Sequence, residues 1–282
     1  MKEYDLHLVG LRTVLRTPHE ITISESLRPF LCQKHCKTDC TIELQPCDQL
    51  PAFSETGVWH GLEYYDCHQG AFRVFHCSAP KTAAFAVTQL LQNGNIRMDV
   101  LPAYLSYFTG SAGILNRIGL ETLLLQHEGL LLHASLIKYQ GRAIAFTGPS
   151  GVGKSTQANI WQQHLAAEII NGDRAALRHT TDGWMAYGSP YAGTSGIYKN
   201  ESAPLAAIVC LQQATENCLR PMQPGEAFRY LFPEVSVHHW DKIFVTRATD
   251  LCLQLMAETP VYLLACRPNE DAALLVKKGL GL

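Results

Sequence analysis

The feature that most constrains this chain is the run GPSGVGKS at residues 148–155, which follows an apolar stretch and precedes a helical pattern. The run fits the spacing G-x4-G-K-S/T without a gap. Gly148, Gly151 and Gly153 let the backbone turn so that successive N–H groups converge on an anion at a helix N-terminus. The run therefore predicts a phosphate-binding loop between a strand and a helix.

Two side chains of this run have predicted roles in holding a phosphate. Lys154 is expected to neutralise charge on the β- and γ-phosphates of a nucleotide, and the Ser155 hydroxyl is expected to bind Mg²⁺. A nucleotide or polyphosphate is thus the predicted ligand. The predicted nucleotide-binding residues are Gly148, Ser150, Gly151, Val152, Gly153, Lys154, Ser155 and Thr156.

The segment before the loop predicts an antiparallel hairpin. LLHASLIKY and RAIAFTG are both strand-like, and Gln140-Gly141 alone separates them. Such a short connection makes a tight hairpin, since a parallel pair needs a crossover. If Tyr139 pairs with Arg142, the register places His133 opposite Gly148, at the mouth of the loop. His133 then either orients an acceptor and stabilises charge, or only packs as a half-buried strand histidine.

A carboxylate candidate follows the next predicted strand, EIIN at residues 168–171. Asp173 should emerge at the same edge of the sheet as the loop. It is predicted to serve as a catalytic base or a metal ligand, and the alternative is an ordinary turn aspartate. Arg174 could pair with Asp173 or contact phosphate, Asn171 is a further polar candidate, and residues 188–196 suit a binding or lid loop.

The remaining pattern predicts an N-terminal α+β region, residues 1–100, that helps to select the acceptor, and a catalytic domain, residues 101–282. Expected strands in the first region are DLHLVGLRTVLRT, EITIS, CTIEL and AFRVFHC, with a short helix over SESLRPFL. Residues 100–126 read as helical, with a break at Gly110 or Gly113. Later segments predict a hairpin at residues 180–183, a strand over PLAAIVCL, helices over GEAFRYLF and DKIFVTRATDLCLQLM, a strand over VYLLAC, and a final helix capped by Asn269.

Composition argues against several partners. The net charge of −2 gives no field that would recruit nucleic acid or an anionic membrane. The N-terminus lacks the pattern of a signal peptide, and no apolar run is long enough to cross a membrane. A cytoplasmic protein without nucleic-acid or membrane partners is expected. A homo-oligomer is left open.

The cysteines point to free thiols rather than disulfides. Ten are spread over 282 residues without an export signal. The run Cys32-x3-Cys36-x3-Cys40, with His35 inside it, invites a structural metal as an alternative, but zinc sites more often use Cys-x2-Cys pairs.

These motifs resemble the catalytic core of the HPr kinase/phosphorylase family, which is related to the phosphoenolpyruvate carboxykinase fold. LLHAS, GPSGVGKSTQANIW, IINGDR, YGSPYAGTS and VYLLACRP are most similar to HPr-kinase-like proteins found near peptide-tailoring genes, including lasso peptide kinases. The resemblance implies an α/β P-loop core with a mixed sheet. It also implies transfer of the γ-phosphoryl group of ATP, with Mg²⁺, to a Ser/Thr-type hydroxyl of a peptide, small protein or metabolite.

The same resemblance assigns catalytic roles to His133, Lys154 and Asp173, and metal binding to Ser155 and Asp173. One departure matters, because HPr kinases carry two adjacent aspartates where this chain has Gly172-Asp173. Asp173 alone, or a carboxylate from elsewhere, must then serve as base and metal ligand. The alternatives are a nucleotide-gated binding protein without transfer, an HPr kinase/phosphorylase proper, or a carboxykinase-like enzyme.

Overall fold

The computed structural model describes residues 1–33, 37–68, 71–78 and 83–282, with the backbone alone at 68 and 71. The chain forms two compact units. Unit 1 comprises Met1–Leu123 and His238–Val245, and unit 2 comprises Leu124–Val237 and Thr246–Leu282. The functional division predicted at residue 100 is a different boundary and stays a prediction.

Unit 1 contains a mixed sheet with eight strands among its described residues. The strands are β1 (Lys2–Leu8), β2 (Leu11–Thr17), β3 (Cys40–Pro46), β4 (Val58–His60), β5 (Glu63–His68), β6 (Ala71–Cys77), β7 (Ala84–Leu90) and β8 (Ile96–Val100). Their order is β1-β2-β3-β8-β7-β6-β5-β4. Strand β3 pairs in parallel with β2 and β8, whereas the other pairs are antiparallel. Its residues alternate between more and less buried, as expected of a strand with one face in the core.

Three predictions in unit 1 are wrong. DLHLVGLRTVLRT forms two antiparallel strands, β1 and β2, rather than one, because the chain turns at Val9-Gly10, where both residues have positive φ. EITIS forms no strand. Within this segment, Thr22 makes only an isolated β-bridge to Gly110. SESLRPFL forms only a 3-10 helix over Arg28–Phe30. Pro29 lacks the N–H that an α-helix beginning earlier in this segment would need.

The predicted helical segment 100–126 is divided more than expected. Val100 ends β8, and a 3-10 helix covers Pro102–Phe108. Helices α1 (Ser111–Ile118) and α2 (Leu120–Gln126) follow. The break expected at Gly110 is confirmed, since this residue caps α1. Gly119, with φ +75°, makes a second break.

Unit 1 also contains a polar network around Glu63. His76, which is 3% exposed, lies with Nδ1 3.2 Å from Glu63 Oε1 and Nε2 2.9 Å from Thr88 Oγ1. Tyr65 Oη donates to Glu63 Oε2 at 2.7 Å. The hydrogen bond from His76, followed by that from Tyr65, lowers the pKa of Glu63 to about 2.

Replacing Glu63 by glutamine is expected to lower the melting temperature at pH 7 by about 2–4 °C, the scale set by losing about one hydrogen bond. Because the folded-state pKa is depressed, the stabilisation is present above the ordinary value of 4.5 and is lost as pH falls towards 2. The decrease in melting temperature caused by Glu63→Gln should therefore be smaller at pH 3 than at pH 7. Glu55→Gln at an exposed position is the control. An equal effect at both pH values would contradict the assignment.

Unit 2 contains a second mixed sheet, again with eight strands among the described residues. The strands are β9 (Gly129–Tyr139), β10 (Arg142–Thr147), β11 (Glu168–Asn171), β12 (Arg174–Thr180), β13 (Gly183–Tyr187), β14 (Ser202–Gln213), β15 (Cys218–Pro221) and β16 (Val261–Cys266). Their order is β10-β9-β12-β13-β14-β16-β15, with β11 on β9 and a parallel pairing of β10 with β14. The remaining α-helices in the described part of the chain are α3 (Lys154–Leu165), α4 (Pro224–Leu231), α5 (Lys242–Glu258) and α6 (Glu270–Gly279).

The core beneath the glycine-rich segment is apolar and fully buried. Phe146 of β10 and Val209 of β14 are 0% exposed, and they belong to one cluster with Trp161 of α3 and Val276 of α6. Strand β10 is buried along most of its length, which explains its continuous apolar run. The chain therefore enters and leaves residues 148–153 from well-packed elements.

Most sequence predictions for unit 2 are confirmed. Tyr139 pairs with Arg142, so the predicted hairpin and its register are correct. Thr180 pairs with Gly183 in the second hairpin, and Asn269 caps α6 by accepting a hydrogen bond from Ala272 N. The α/β class and the mixed sheet are confirmed as well, while the assignment to an HPr-kinase-like core stays a prediction. Within the described part of the chain, no helix is long and apolar enough to cross a membrane.

Candidate active site

Residues 148–153, called the glycine loop here, connect the end of β10 to the start of α3. Gly148, Gly151 and Gly153 have φ values of +138°, +78° and +116°. A side chain is strained in this region of backbone space, so these positions favour glycine. A Cβ atom at Gly151 or Gly153 would meet nothing within 4 Å, which leaves this side of the loop open to a ligand.

Lys154 folds back over the glycine loop. Its Nζ donates hydrogen bonds to Gly148 O at 2.7 Å and to Pro149 O at 3.2 Å, and the residue is buried. Burial lowers the pKa of Lys154, the carboxylates of Glu234 and Asp173 raise it, and Arg174 lowers it. The ammonium group is thus held beside the loop where an anion would approach.

His133 lies at the mouth of the loop, as the register predicts. Ala134 pairs with Thr147, and Thr147 Oγ1 donates to His133 O at 2.9 Å. The imidazole lies between two carboxylates: Nδ1 is 2.9 Å from Glu234 Oε2, and Nε2 is 3.5 Å from Asp173 Oδ1. Packing alone does not account for a ring with an acidic partner on each side.

Asp173 is held in place by the turn that precedes it. Asn171 is fully buried, and its Oδ1 accepts from the backbone N–H groups of Asp173 (2.9 Å) and Arg174 (2.7 Å). Its Nδ2 donates to Ser189 O at 3.0 Å and to Tyr191 O at 3.1 Å. Asn171 therefore orders the turn and the following loop rather than facing a ligand.

The loop 188–196 packs directly against Asp173. A Cβ atom added to Gly193, whose φ is +54°, would lie 2.6 Å from Asp173 Cγ. The close approach and the positive φ explain the glycine at this position. Thr194 of the same loop reaches the cavity described next.

A cavity of about 290 Å³, called the phosphate cavity here, brings most predicted site residues together. It is lined by His133, Ser150, Gly151, Gly153, Lys154, Ser155, Thr156, Gly172, Asp173 and Thr194. Two predicted binding residues lie elsewhere. Gly148 contributes its carbonyl oxygen to Lys154, and Val152 lines a second cavity.

Glu234 is the site residue that sequence reasoning missed. It ends a 3-10 helix, Phe232–Glu234, and its partner His133 is 101 residues away in the chain. Two neighbouring contacts fix the segment, since Val235 bridges to Leu132 and Arg174 Nη1 donates to Ser236 Oγ at 2.6 Å. No local motif marks Glu234, so only the fold could have revealed it.

Two basic side chains, Lys199 and Arg229, do not line the phosphate cavity. Lys199 Nζ donates to Glu168 Oε1 at 2.7 Å, and Arg229 is exposed on α4. Among the described residues, no group of three or more His, Cys, Asp or Glu is placed to hold a metal ion. None of the described cysteines, Cys32 and Cys40 among them, takes part in a disulfide bond. The suggested metal site with His35 and Cys36 lies outside the described residues.

The donor set is compatible with Mg²⁺ bound together with a nucleotide. The Ser155 hydroxyl and the Asp173 carboxylate, both hard oxygen donors, line the phosphate cavity. Mg²⁺ at phosphate-transfer sites uses one or two protein oxygens together with substrate phosphates and water. Ser155 and Asp173 are therefore the residues that would hold the ion.

Comparisons with known proteins add little to what these residues indicate about function. No family model matches the sequence, and no curated protein matches it. Among solved structures, the chain is similar to the Hpr(Ser) kinase/phosphatase from Coxiella burnetii, with a TM-score of 0.30 and 9% identity over 52% of this chain and 91% of that chain. A similarity of this size is too weak to assign the activity.

Proposed function

We propose that this chain is a phosphotransferase that moves the γ-phosphoryl group of a nucleoside triphosphate to an alcohol hydroxyl. The observation that carries the proposal is the meeting of His133, Lys154 and Asp173 with the glycine loop around one cavity. A glycine loop alone would hold phosphate. A carboxylate and an imidazole facing the same space add a way to accept a proton from an attacking group.

In the proposed reaction, the hydroxyl oxygen of the acceptor attacks the γ-phosphorus in line with the leaving oxygen. The bond between the γ-phosphorus and the β,γ-bridging oxygen breaks, and a nucleoside diphosphate leaves. Asp173 takes the proton of the hydroxyl. Lys154 exchanges its loop carbonyls for phosphate oxygens and stabilises the charge on them. A bound Mg²⁺ would add charge neutralisation at the phosphates.

Asp173 has no second aspartate beside it, and Glu234 supplies a second carboxylate to the site. This carboxylate contacts His133 rather than lying next to Asp173 in the chain. With Nδ1 bound to Glu234, the other nitrogen of His133 is directed to Asp173. We assign Glu234 as a positioning residue for His133, and the carboxylate of Asp173 keeps the role of base.

The acceptor is proposed to be a Ser/Thr-type hydroxyl on a peptide, small protein or metabolite. The test is release of nucleoside diphosphate with ATP and Mg²⁺, with and without a pool of peptides and hydroxyl metabolites. Mass spectrometry then identifies the product that gains a phosphoryl group. Acceptor-dependent release supports the proposal, whereas nucleotide binding without transfer to any member of the pool would favour a nucleotide-gated binding protein.

Replacing Glu234 by glutamine is expected to reduce turnover about 10-fold and to move the alkaline limit of nucleotide binding to lower pH. The Glu234 carboxylate raises the pKa of Lys154, so its removal lowers that pKa and the ammonium is lost earlier as pH rises. Binding titrations between pH 7 and pH 10 measure the shift.

The matched control is Glu258→Gln, because Glu258 also pairs with a histidine, His179, at 3.0 Å. This control should leave the pH profile unchanged. A Glu234→Gln protein with the wild-type profile would show that the carboxylate does not act on the site.

A further inference from the structure

One hydroxyl group in the phosphate cavity comes from outside the glycine loop and α3. Among the described residues that line the cavity, four carry hydroxyl groups. Ser150, Ser155 and Thr156 belong to the elements that would hold the phosphates themselves. The fourth is Thr194, which reaches the cavity from the loop 188–196. Thr194 is therefore the hydroxyl whose position in the site still needs an explanation.

Thr194 follows directly on the residue that makes the closest approach of this loop to Asp173. A Cβ atom at Gly193 would lie 2.6 Å from Asp173 Cγ and 3.0 Å from Asp173 Oδ1. The carboxylate that is proposed to accept a proton thus lies beside the backbone that carries Thr194. This arrangement meets the first requirement of general-base catalysis, which is that the base lies close to the hydroxyl it activates.

The Thr194 side chain is not engaged elsewhere in the loop. The residue is exposed, and its hydroxyl makes no hydrogen bond with the described residues. The neighbouring Ser195 differs, because its Oγ donates to Ala192 O at 2.6 Å and accepts from the N–H of Ile197 at 3.2 Å. The hydroxyl of Ser195 therefore holds the turn, whereas that of Thr194 is available to react.

The backbone on both sides of Thr194 has unusual conformational freedom. Gly193 and Gly196 have φ values of +54° and +66°, and both residues are exposed. Glycine adopts new backbone dihedral angles at low cost because it has no Cβ atom. The loop therefore has the freedom to bring the Thr194 hydroxyl up to the phosphorus of a bound nucleotide.

We infer that Thr194 is a phosphorylation site at which this protein modifies itself when no acceptor is bound. The inference rests on the proposed function, because the same nucleotide and the same base carry out the step. Thr194 Oγ1 attacks the γ-phosphorus, the bond from that phosphorus to the β,γ-bridging oxygen breaks, and a nucleoside diphosphate leaves. The hydroxyl proton passes to Asp173, and the product is a phosphothreonine ester.

The test incubates the full wild-type chain with Mg²⁺ and ATP labelled at the γ-phosphate, without any acceptor. Fragmentation of peptides in a mass spectrometer should place a single phosphoryl group on Thr194. The label should resist acid, because a threonine phosphate ester is stable in acid whereas phosphohistidine and acyl phosphates are not. The rate constant of labelling should be independent of protein concentration, since Thr194 lines the cavity of its own chain. These measurements need no substituted protein.

Three substitutions at or near the site extend the test. Thr194→Val should remove the label, and Thr194→Ser should keep it at the same position, because the step needs only the hydroxyl. Asp173→Asn should slow labelling about 1000-fold, since the same base takes the proton. Thr181→Val, at an exposed threonine in the turn between β12 and β13, is the matched control and should label as the wild type does.

Several results would overturn the inference. They are a label on Ser195, His133 or any residue other than Thr194, a label lost in acid, a rate constant that rises with protein concentration, and full labelling of Thr194→Val. The acceptor pool separates the inference from the proposed function. If members of the pool gain the phosphoryl group and the chain alone stays unlabelled, the proposed function stands and the assignment of Thr194 fails. If neither gains it, both fail.

Discussion

Replacing Lys154 by alanine is expected to weaken binding of a nucleoside triphosphate about 100-fold and to abolish measurable phosphoryl transfer. The ammonium group is buried beside the glycine loop and is bonded to two loop carbonyls that a triphosphate would replace. Charge-assisted hydrogen bonds to phosphate are among the stronger polar contacts, and they are strongest where water is excluded. Calorimetric titration with tripolyphosphate and with ATP measures the loss.

Two further variants make the Lys154 result interpretable. Lys154→Met keeps the apolar stem, so a loss shared by both variants reports the charge rather than packing. Lys199→Ala is the matched lysine control, because Lys199 pairs with Glu168. Wild-type affinity in Lys154→Ala would show that the loop does not bind phosphate through this residue.

Replacing Asp173 by asparagine is expected to reduce phosphoryl transfer about 1000-fold, within the range for loss of a general base. Nucleotide affinity should stay within about 3-fold, since asparagine has nearly the same shape and binding depends chiefly on the glycine loop and Lys154. The Asp173 backbone N–H still has its acceptor at Asn171 Oδ1, so the turn should be preserved. Single-turnover transfer and equilibrium binding, measured on the same preparation, separate the two effects.

Asp182→Asn provides the control for Asp173, because Asp182 lies exposed in the turn between β12 and β13. It should retain full transfer. If Asp173→Asn turned over at the wild-type rate, the proton would have to go to another group and Asp173 would leave the proposed mechanism.

The parts of the site that sequence could predict are those encoded within a few residues. The GPSGVGKS run specifies strand, loop and helix together, and the Gln140-Gly141 turn fixes the register that carries His133 to the loop. Asp173 follows from its position directly after a short buried strand. Each of these inferences needs only local chain geometry and the fixed periodicity of strands.

The parts that sequence missed depend on contacts between distant segments. Glu234 meets His133 across 101 residues, and no spacing rule connects them. Strand β7 was not predicted because it is buried on nearly every residue and lacks the alternation typical of a half-exposed strand.

The most direct test of the central claim is a single-turnover experiment with ATP labelled at the γ-phosphate, Mg²⁺ and the acceptor pool. The fate of the label answers whether the phosphate is held, hydrolysed or transferred. We expect wild-type protein to move the label to an acceptor, and Asp173→Asn to bind the same nucleotide but leave the label on it. Label that stays on protein-bound ATP in the wild type, or that appears only as inorganic phosphate whatever the acceptor, would contradict the account.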